Sequence, residues 1–201
     1  MLLGFKRIET TTPAFRSGLV ALAKRLQADP NWIAAIMARE SGFNPSALNP
    51  FTHAAGLIQF MPATAHALGT STAALLAMTA EEQLPFVESF YHSWSGRLHS
   101  AGDTYMATFM PAFVGKPLNT ILFAAPSVGY QQNRGMDRAS KGTITVGDVH
   151  ALINGTIAEA RRHPAIDSGP EPRNGHGPLP FLALLLFGAV FQWGIKKRYH
   201  Q

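Results

Sequence analysis

Asp29–Ala65 reads DPNWIAAIMARESGFNPSALNPFTHAAGLIQFMPATA and contains a single glutamate, Glu40, with no other acid after Asp29. Asp29 followed by Pro30 is a helix start, because a carboxylate caps the first free N–H groups and proline needs none there. Ile33, Ile36, Met37 and Glu40 recur at helical spacing, so the acid shares a stripe with apolar residues. Gly42, with Pro45 beyond it, predicts the end of that helix at about Ser41. A carboxyl at a helix C-terminus, on a face that turns toward the core, is disfavoured as an anion by both dipole and desolvation. Its pKa is expected to rise, which suits a general acid working near neutral pH.

The residues after Glu40 form an ordered set: Ser41, Pro45, Ala47, Gly56-Leu57-Ile58-Gln59, Met61-Pro62 and Thr64-Ala65. In this order and spacing they resemble the soluble lytic transglycosylase family, whose signature runs ES…P.A…GL.Q.MP.TA. The likeness is close from Glu40 to Ala65 and more diffuse to about Ile153. It implies a lysozyme-like helical domain that cleaves the glycan strands of peptidoglycan without a cofactor or metal. Glu40 would be the catalytic acid. Ser41 would orient it or the substrate, Gln59 would bond a sugar's N-acetyl group or hydroxyls, and Met61 would floor the cleft. Ile58 stands where the family often has methionine.

A third family motif, AYNAG-like, sets a tyrosine beside the glutamate. The corresponding stretch here is Ala107-Thr108-Phe109-Met110-Pro111-Ala112. Phe109 fills the ring's place without its hydroxyl, so the polar contact is either missing or supplied by Tyr105 or Tyr130. These three complete the expected substrate-binding set; alternatively Phe109 is simply core.

Outside the motif region the chain reads as mainly helical. Pro13–Ala28 predicts a first helix, with Phe15, Leu19, Leu22, Ala23 and Leu26 on one face. Residues 44–64 predict a loop stiffened by Pro45, Pro50 and Pro62, with a third helix from about Thr64. Thr79 with Glu82 has the form of a capping box, opening a helix that should reach about Leu98. Asp103 is the expected cap of another short helix. No sustained alternation appears, so strands are not expected.

Asp137–Asp148 has the 12-position frame of an EF-hand loop, with Asp137 first, Gly142 sixth, Ile144 eighth and Asp148 last. Ala139 and Lys141 stand at the third and fifth positions, where oxygen ligands belong. A lysine there puts a cation where calcium would sit, so the loop is read as keeping its turn and not its metal. A helix from Thr145 through Ile157 follows, with its cap expected at Gly147-Asp148.

The composition is 46% hydrophobic and 14% charged over 201 residues, too apolar for a disordered chain. There is no cysteine, which excludes disulfides and thiolate catalysis. The net charge of +5 suits an anionic wall polymer or lipid, while no basic run with interleaved aromatics marks specific nucleic-acid binding. Residues 161–178 are rich in Pro, Gly and polar residues and read as a linker after a domain of residues 1–160. His163 and His176 within it are isolated and are assigned no metal. Leu179–Ile195 carries no charge and spans roughly 25 Å as a helix, the short limit for a bilayer; Lys196-Lys197-Arg198 follow directly in the basic tail 196–201. This predicts a single transmembrane helix with a lipid partner. The N-terminus lacks an apolar run long enough for a secretory signal.

Tail basicity would place the domain outside the cell, yet no signal sequence takes it there. A virion-associated wall-opening enzyme, delivered with a phage genome beside other virion proteins, removes this conflict; residues 105–117, YMATFMPAFVGKP, also resemble phage-encoded members. The cellular alternative is a wall-remodelling enzyme of the bacterial inner membrane. Two other functions fit the same residues: a goose-lysozyme-type hydrolytic muramidase, with Asp103 as second acid, or a structural protein of virion or membrane.

Overall fold

The computed structural model describes residues 1–170, so the apolar segment 179–195 lies outside the described residues. Eight helices and one small sheet make up this part. The helices are α1 Pro13–Arg25, α2 Pro30–Glu40, α3 Pro62–Ala67, α4 Thr72–Ala77, α5 Ala80–Tyr91, α6 Ala101–Phe109, α7 Val128–Asn133 and α8 Val146–Ala160. The core forms where α2 packs against α1, α6 and α8, with α1 also lying along α5 and α6 along α8.

Local chemistry sets most of the boundaries. Asp29 accepts from the Asn31 amide at 2.8 Å, and Pro30 supplies the first helical position of α2. Thr79 and Glu82 form the expected capping box on α5. Ile33, Ala34, Ala35, Ile36 and Met37 are all fully buried, so α2 is the central helix. Each large side chain among them contributes about 1.5–3 kcal/mol through lost contact with water.

Several expectations are corrected. Helix α5 stops at Tyr91, and a single tight turn, His92–Trp94, replaces the run expected to Leu98. That turn lets Gly96, at φ +69°, donate its amide to the Leu26 carbonyl at the end of α1. Ser100, not Asp103, caps α6: its hydroxyl accepts from the Asp103 amide and donates to the Asp103 carboxylate. Thr145, not Gly147-Asp148, caps α8, with Asp148 completing a second capping box.

Strands are present as well. β1 (Ile121–Ala124) pairs antiparallel with β2 (Thr143–Thr145), with Phe123 opposite Ile144 and a register break between Ile121 and Phe123. Three or four residues with one fully buried side chain, Ile144, are too few for a periodic signal.

Residues 161–170 run back over the start of the chain. Leu2 and Ile166 exchange both backbone hydrogen bonds, at 3.0 and 2.8 Å, and Arg16 Nε donates to the Asp167 carbonyl at 2.9 Å. Leu2 is fully buried by this pairing, and the Leu3 amide donates to Asn31 Oδ1 at 2.8 Å, tying the strap to the first turn of α2.

Candidate active site

Glu40 is the last residue of α2 and is half-buried. Its position follows from the apolar stripe, which turns the final side chain toward α6 rather than solvent. There Tyr105 Oη donates to Glu40 Oε1 at 3.0 Å. Tyr105 is fully buried; burial first, and then the charge of Glu40, push its phenol pKa well above the ordinary value, so it stays a donor. Arg39 Nε lies 3.4 Å from the same phenol oxygen, and its guanidinium carbon is 6.0 Å from the ring centroid.

Phe109, one helical turn after Tyr105, stacks on that ring at 6.2 Å between centroids and 18° between planes. On its other side it meets Phe123 edge-on at 6.3 Å, so β1 supports the aromatic pair. Tyr91 is also fully buried, its hydroxyl 2.5 Å from Thr108 Oγ1. Burial, with the nearby Glu40 charge adding to it, raises the Tyr91 phenol far above its ordinary range.

Past the acid the chain reverses through two consecutive left-handed residues, Gly42 at φ +59° and Phe43 at +60°. Phe43 is buried against Phe5 and Phe15, which repays its strained backbone. Ser41 Oγ lies 3.1 Å from the Met37 carbonyl and 2.9 Å from that of Leu57. The residue after the acid therefore stitches the end of α2 to the glycine turn Gly56-Leu57.

The loop 44–60 is held from both sides. Ala55 bridges to Leu48 and to Phe60, and Asn49 Oδ1 accepts from the Phe51 and Thr52 amides. Gln59, at φ +55°, uses its side-chain amide nitrogen on the Ala47 and Gly56 carbonyls at 3.1 and 3.2 Å. Met61 is half-buried at the start of α3. Glu40, Ser41, Tyr105 and Phe109 thus form one contiguous set, and Gln59 and Met61 belong to the loop that Ser41 reaches through Leu57.

Tyr130 lies in another neighbourhood: its hydroxyl donates to Asp137 Oδ2 at 2.9 Å, beneath the 137–148 loop. In that loop Asp137 also accepts the Lys141 and Gly142 amides, and Lys141 Nζ lies 2.9 Å from both oxygens of Asp148. The lysine ammonium thus joins the loop to α8. Asp103 is committed to Ser100 and faces His150 Nε2 at 3.9 Å.

Two residues were missed from sequence. Gln83 is fully buried in α5; its amide nitrogen donates to the Pro45 and Leu75 carbonyls, each at 2.8 Å, and its oxygen accepts the Leu57 amide at 2.9 Å. Its signal was present, because Gln83, Val87 and Tyr91 share one helical stripe and only a satisfied amide fits there. Arg39 offered no such signal, since a charged residue beside a helix end is usually solvated.

No curated protein and no solved structure matches the chain. The family model described as Transglycosylase SLT domain does match, over a segment that opens within α1 and closes at Gln83, leaving α6 with Tyr105 and Phe109 beyond it. Glu40, Ser41 and the glycine-turn loop all fall inside that segment, so residues 20–83 of this chain are similar to that family's domain.

Proposed function

We propose that the protein is a peptidoglycan lytic transglycosylase that cleaves the bond from N-acetylmuramic acid to N-acetylglucosamine. The observation that carries this reading is the half-buried carboxyl of Glu40 at the end of α2, held by the buried Tyr105 phenol. Glycoside hydrolysis normally uses two carboxyls flanking the bond. Asp103, the candidate second acid, is occupied as part of the α6 cap. One acid suffices for the transglycosylase route. Glu40 protonates the bridging oxygen as the bond to C1 breaks; its carboxylate then takes the proton of the muramoyl C6 hydroxyl, whose oxygen closes on C1. The products are a free sugar hydroxyl and a 1,6-anhydro ring, and no water is consumed.

The same reading extends to place and role. An uncharged segment, Leu179–Ile195, followed by Lys196-Lys197-Arg198, supports a membrane anchor, and the role we propose for the anchored domain is that of a virion-borne enzyme opening the wall for genome delivery.

The deciding experiment is mass analysis of the sugars released from purified peptidoglycan, beside a Glu40→Gln control. Products one water lighter than reducing-end muropeptides, absent from the control, are expected. Reducing ends would mean a hydrolytic muramidase, and no release from the folded protein would overturn an enzymatic role.

A further inference from the structure

Lys6 and Arg7 form an exposed turn between two buried anchors, Phe5 and Ile8. The Ile8 amide closes it on the Phe5 carbonyl at 3.0 Å, and the Phe5 ring centroid lies 6.4 Å from that of Phe43. The turn is thereby seated on the chain reversal that follows Glu40. Arg7 lies along that reversal: a Cβ on Gly42 would stand 3.8 Å from its Cδ and 3.6 Å from its Nη1. Two peptide units, at most about 7.6 Å of backbone, separate Gly42 from Glu40.

Among the described residues the Arg7 guanidinium has no hydrogen-bond or ion-pair partner, and Glu9, two positions on, is exposed and not paired with it. Its fork of N–H donors is therefore open to a ligand. The backbone beneath it is left-handed, at φ +71° and ψ 2°, which Asn or Gly takes more readily than Arg. An unpaired guanidinium, kept at a local backbone cost beside the acid, is placed to receive an anion.

Resting on the proposed transglycosylase reading, we infer that Arg7 is a substrate-binding residue whose guanidinium takes a carboxylate of the peptide stem on the muramoyl ring that Glu40 acts on. The sugars of the strand are neutral, and the carboxylates belong to the stems. A stem leaves C3 of the same ring whose C1 reacts, so the anion departs close to Glu40. A planar guanidinium matches a carboxylate with two parallel hydrogen bonds, which an ammonium cannot do. Lys6 adds a second positive charge on the same turn. The contact comes from outside residues 20–83, so the N-terminal segment contributes it to the matched segment.

The test compares wild type, Arg7→Asn and Arg7→Lys as full chains on soluble glycan strands whose stem carboxyls are either free or converted to amides. Release of anhydro products gives kcat and KM, and urea midpoints are measured beside them. On native strands Arg7→Asn is expected to raise KM roughly fivefold with kcat little changed, and Arg7→Lys to raise it less. The urea midpoint of Arg7→Asn should stay level or rise, because asparagine suits the left-handed position. On amidated strands wild type and Arg7→Asn should share one KM, and added salt should narrow their difference on native strands.

An unchanged KM for Arg7→Asn on native strands, or the same rise on amidated ones, would overturn the inference while leaving the transglycosylase reading intact. A lowered urea midpoint with unchanged KM would instead make Arg7 a counter-charge for the end of α2. A wild-type chain that releases no anhydro products overturns both.

Discussion

Gly56 sits where Gln83 leaves no room for a side chain: a Cβ there would lie 2.5 Å from Gln83 Oε1, and its φ of +79° is left-handed. Gln83 cannot swing aside cheaply, because it holds Pro45, Leu57 and Leu75 together. Gly56→Ala should therefore cost about 2–4 kcal/mol from strained backbone and overlap combined. Gln83→Leu should cost about 3–5 kcal/mol, since it strands two carbonyls and an amide in the interior. Urea unfolding midpoints check both, and a Gly56→Ala variant as stable as wild type would contradict the described turn.

Helices α1 and α5 are clamped by Arg25 and Glu88, with Nε and Nη2 at 2.6 and 2.7 Å from the two carboxylate oxygens. The glutamate side chain is only 7% exposed while the arginine is 47% exposed, so solvent weakens the pair from one side. Arg25→Met is expected to cost about 1–3 kcal/mol, chiefly by leaving a buried carboxylate without its cation. Replacing Glu88 by Leu in the same chain should recover most of that loss. Stability measured across this cycle decides it.

His150 gives the fold a pH dependence on the acid side. Its ring lies against Gly102, where a Cβ would come within 2.1 Å of Nδ1, and its buried Nε2 has no hydrogen-bond partner among the described residues. Burial lowers its pKa from the ordinary 6.5, and Asp103 across the α6–α8 contact only partly opposes this. The unfolded chain therefore binds the proton more readily. The stability that the neutral ring provides is complete above about pH 6.5 and is lost as pH falls through the lower folded value. The urea midpoint should drop more steeply between about pH 7 and pH 5 in wild type than in His150→Gln. Equal slopes would count against a buried neutral ring.

Asp148 provides a second, more acidic dependence. Burial alone would raise its pKa, but the Lys141 ammonium and the Thr145 hydroxyl and amide outweigh it and hold the carboxyl below its ordinary value. Its contribution is present above the unfolded carboxyl range and disappears as pH falls through the folded value. Lys141→Met should weaken the fold by about 0.5–2 kcal/mol near neutrality and move acid unfolding to higher pH. Calcium at millimolar concentration should leave the wild-type thermal midpoint unmoved, because the ammonium already occupies Asp148.

Much of the site was legible because short-range chemistry writes it. Asp29-Pro30 started α2, the Ile33–Met37 stripe buried it, and the motif spacing after Glu40 marked the loop that Ser41 reaches through the Leu57 carbonyl. What stayed hidden depends on contacts between residues distant in the chain. Tyr105 and Tyr130 were equivalent candidates for the missing hydroxyl until α6 and the 137–148 loop were placed. Gln83 was hidden behind Glu82, whose capping role explained the local pattern completely. The sheet escaped because β1 and β2 are brief and lie 18 residues apart between Ala124 and Thr143.

The pairing of Leu2 with Ile166 has a mechanical side. In an antiparallel pair the chain leaves Leu2 toward Met1 on the side where it leaves Ile166 toward Asp167. A force applied between these two ends peels the bridge open, loading its two hydrogen bonds in turn rather than together. Arg16, which holds the Asp167 carbonyl, ties the loaded end to α1, and the Leu3–Asn31 contact passes the load to the start of α2 once the bridge opens. Tension across the ends would thus be felt at the root of the helix that carries Glu40, and single-molecule stretching should find the strap yielding at low force before the helical body opens.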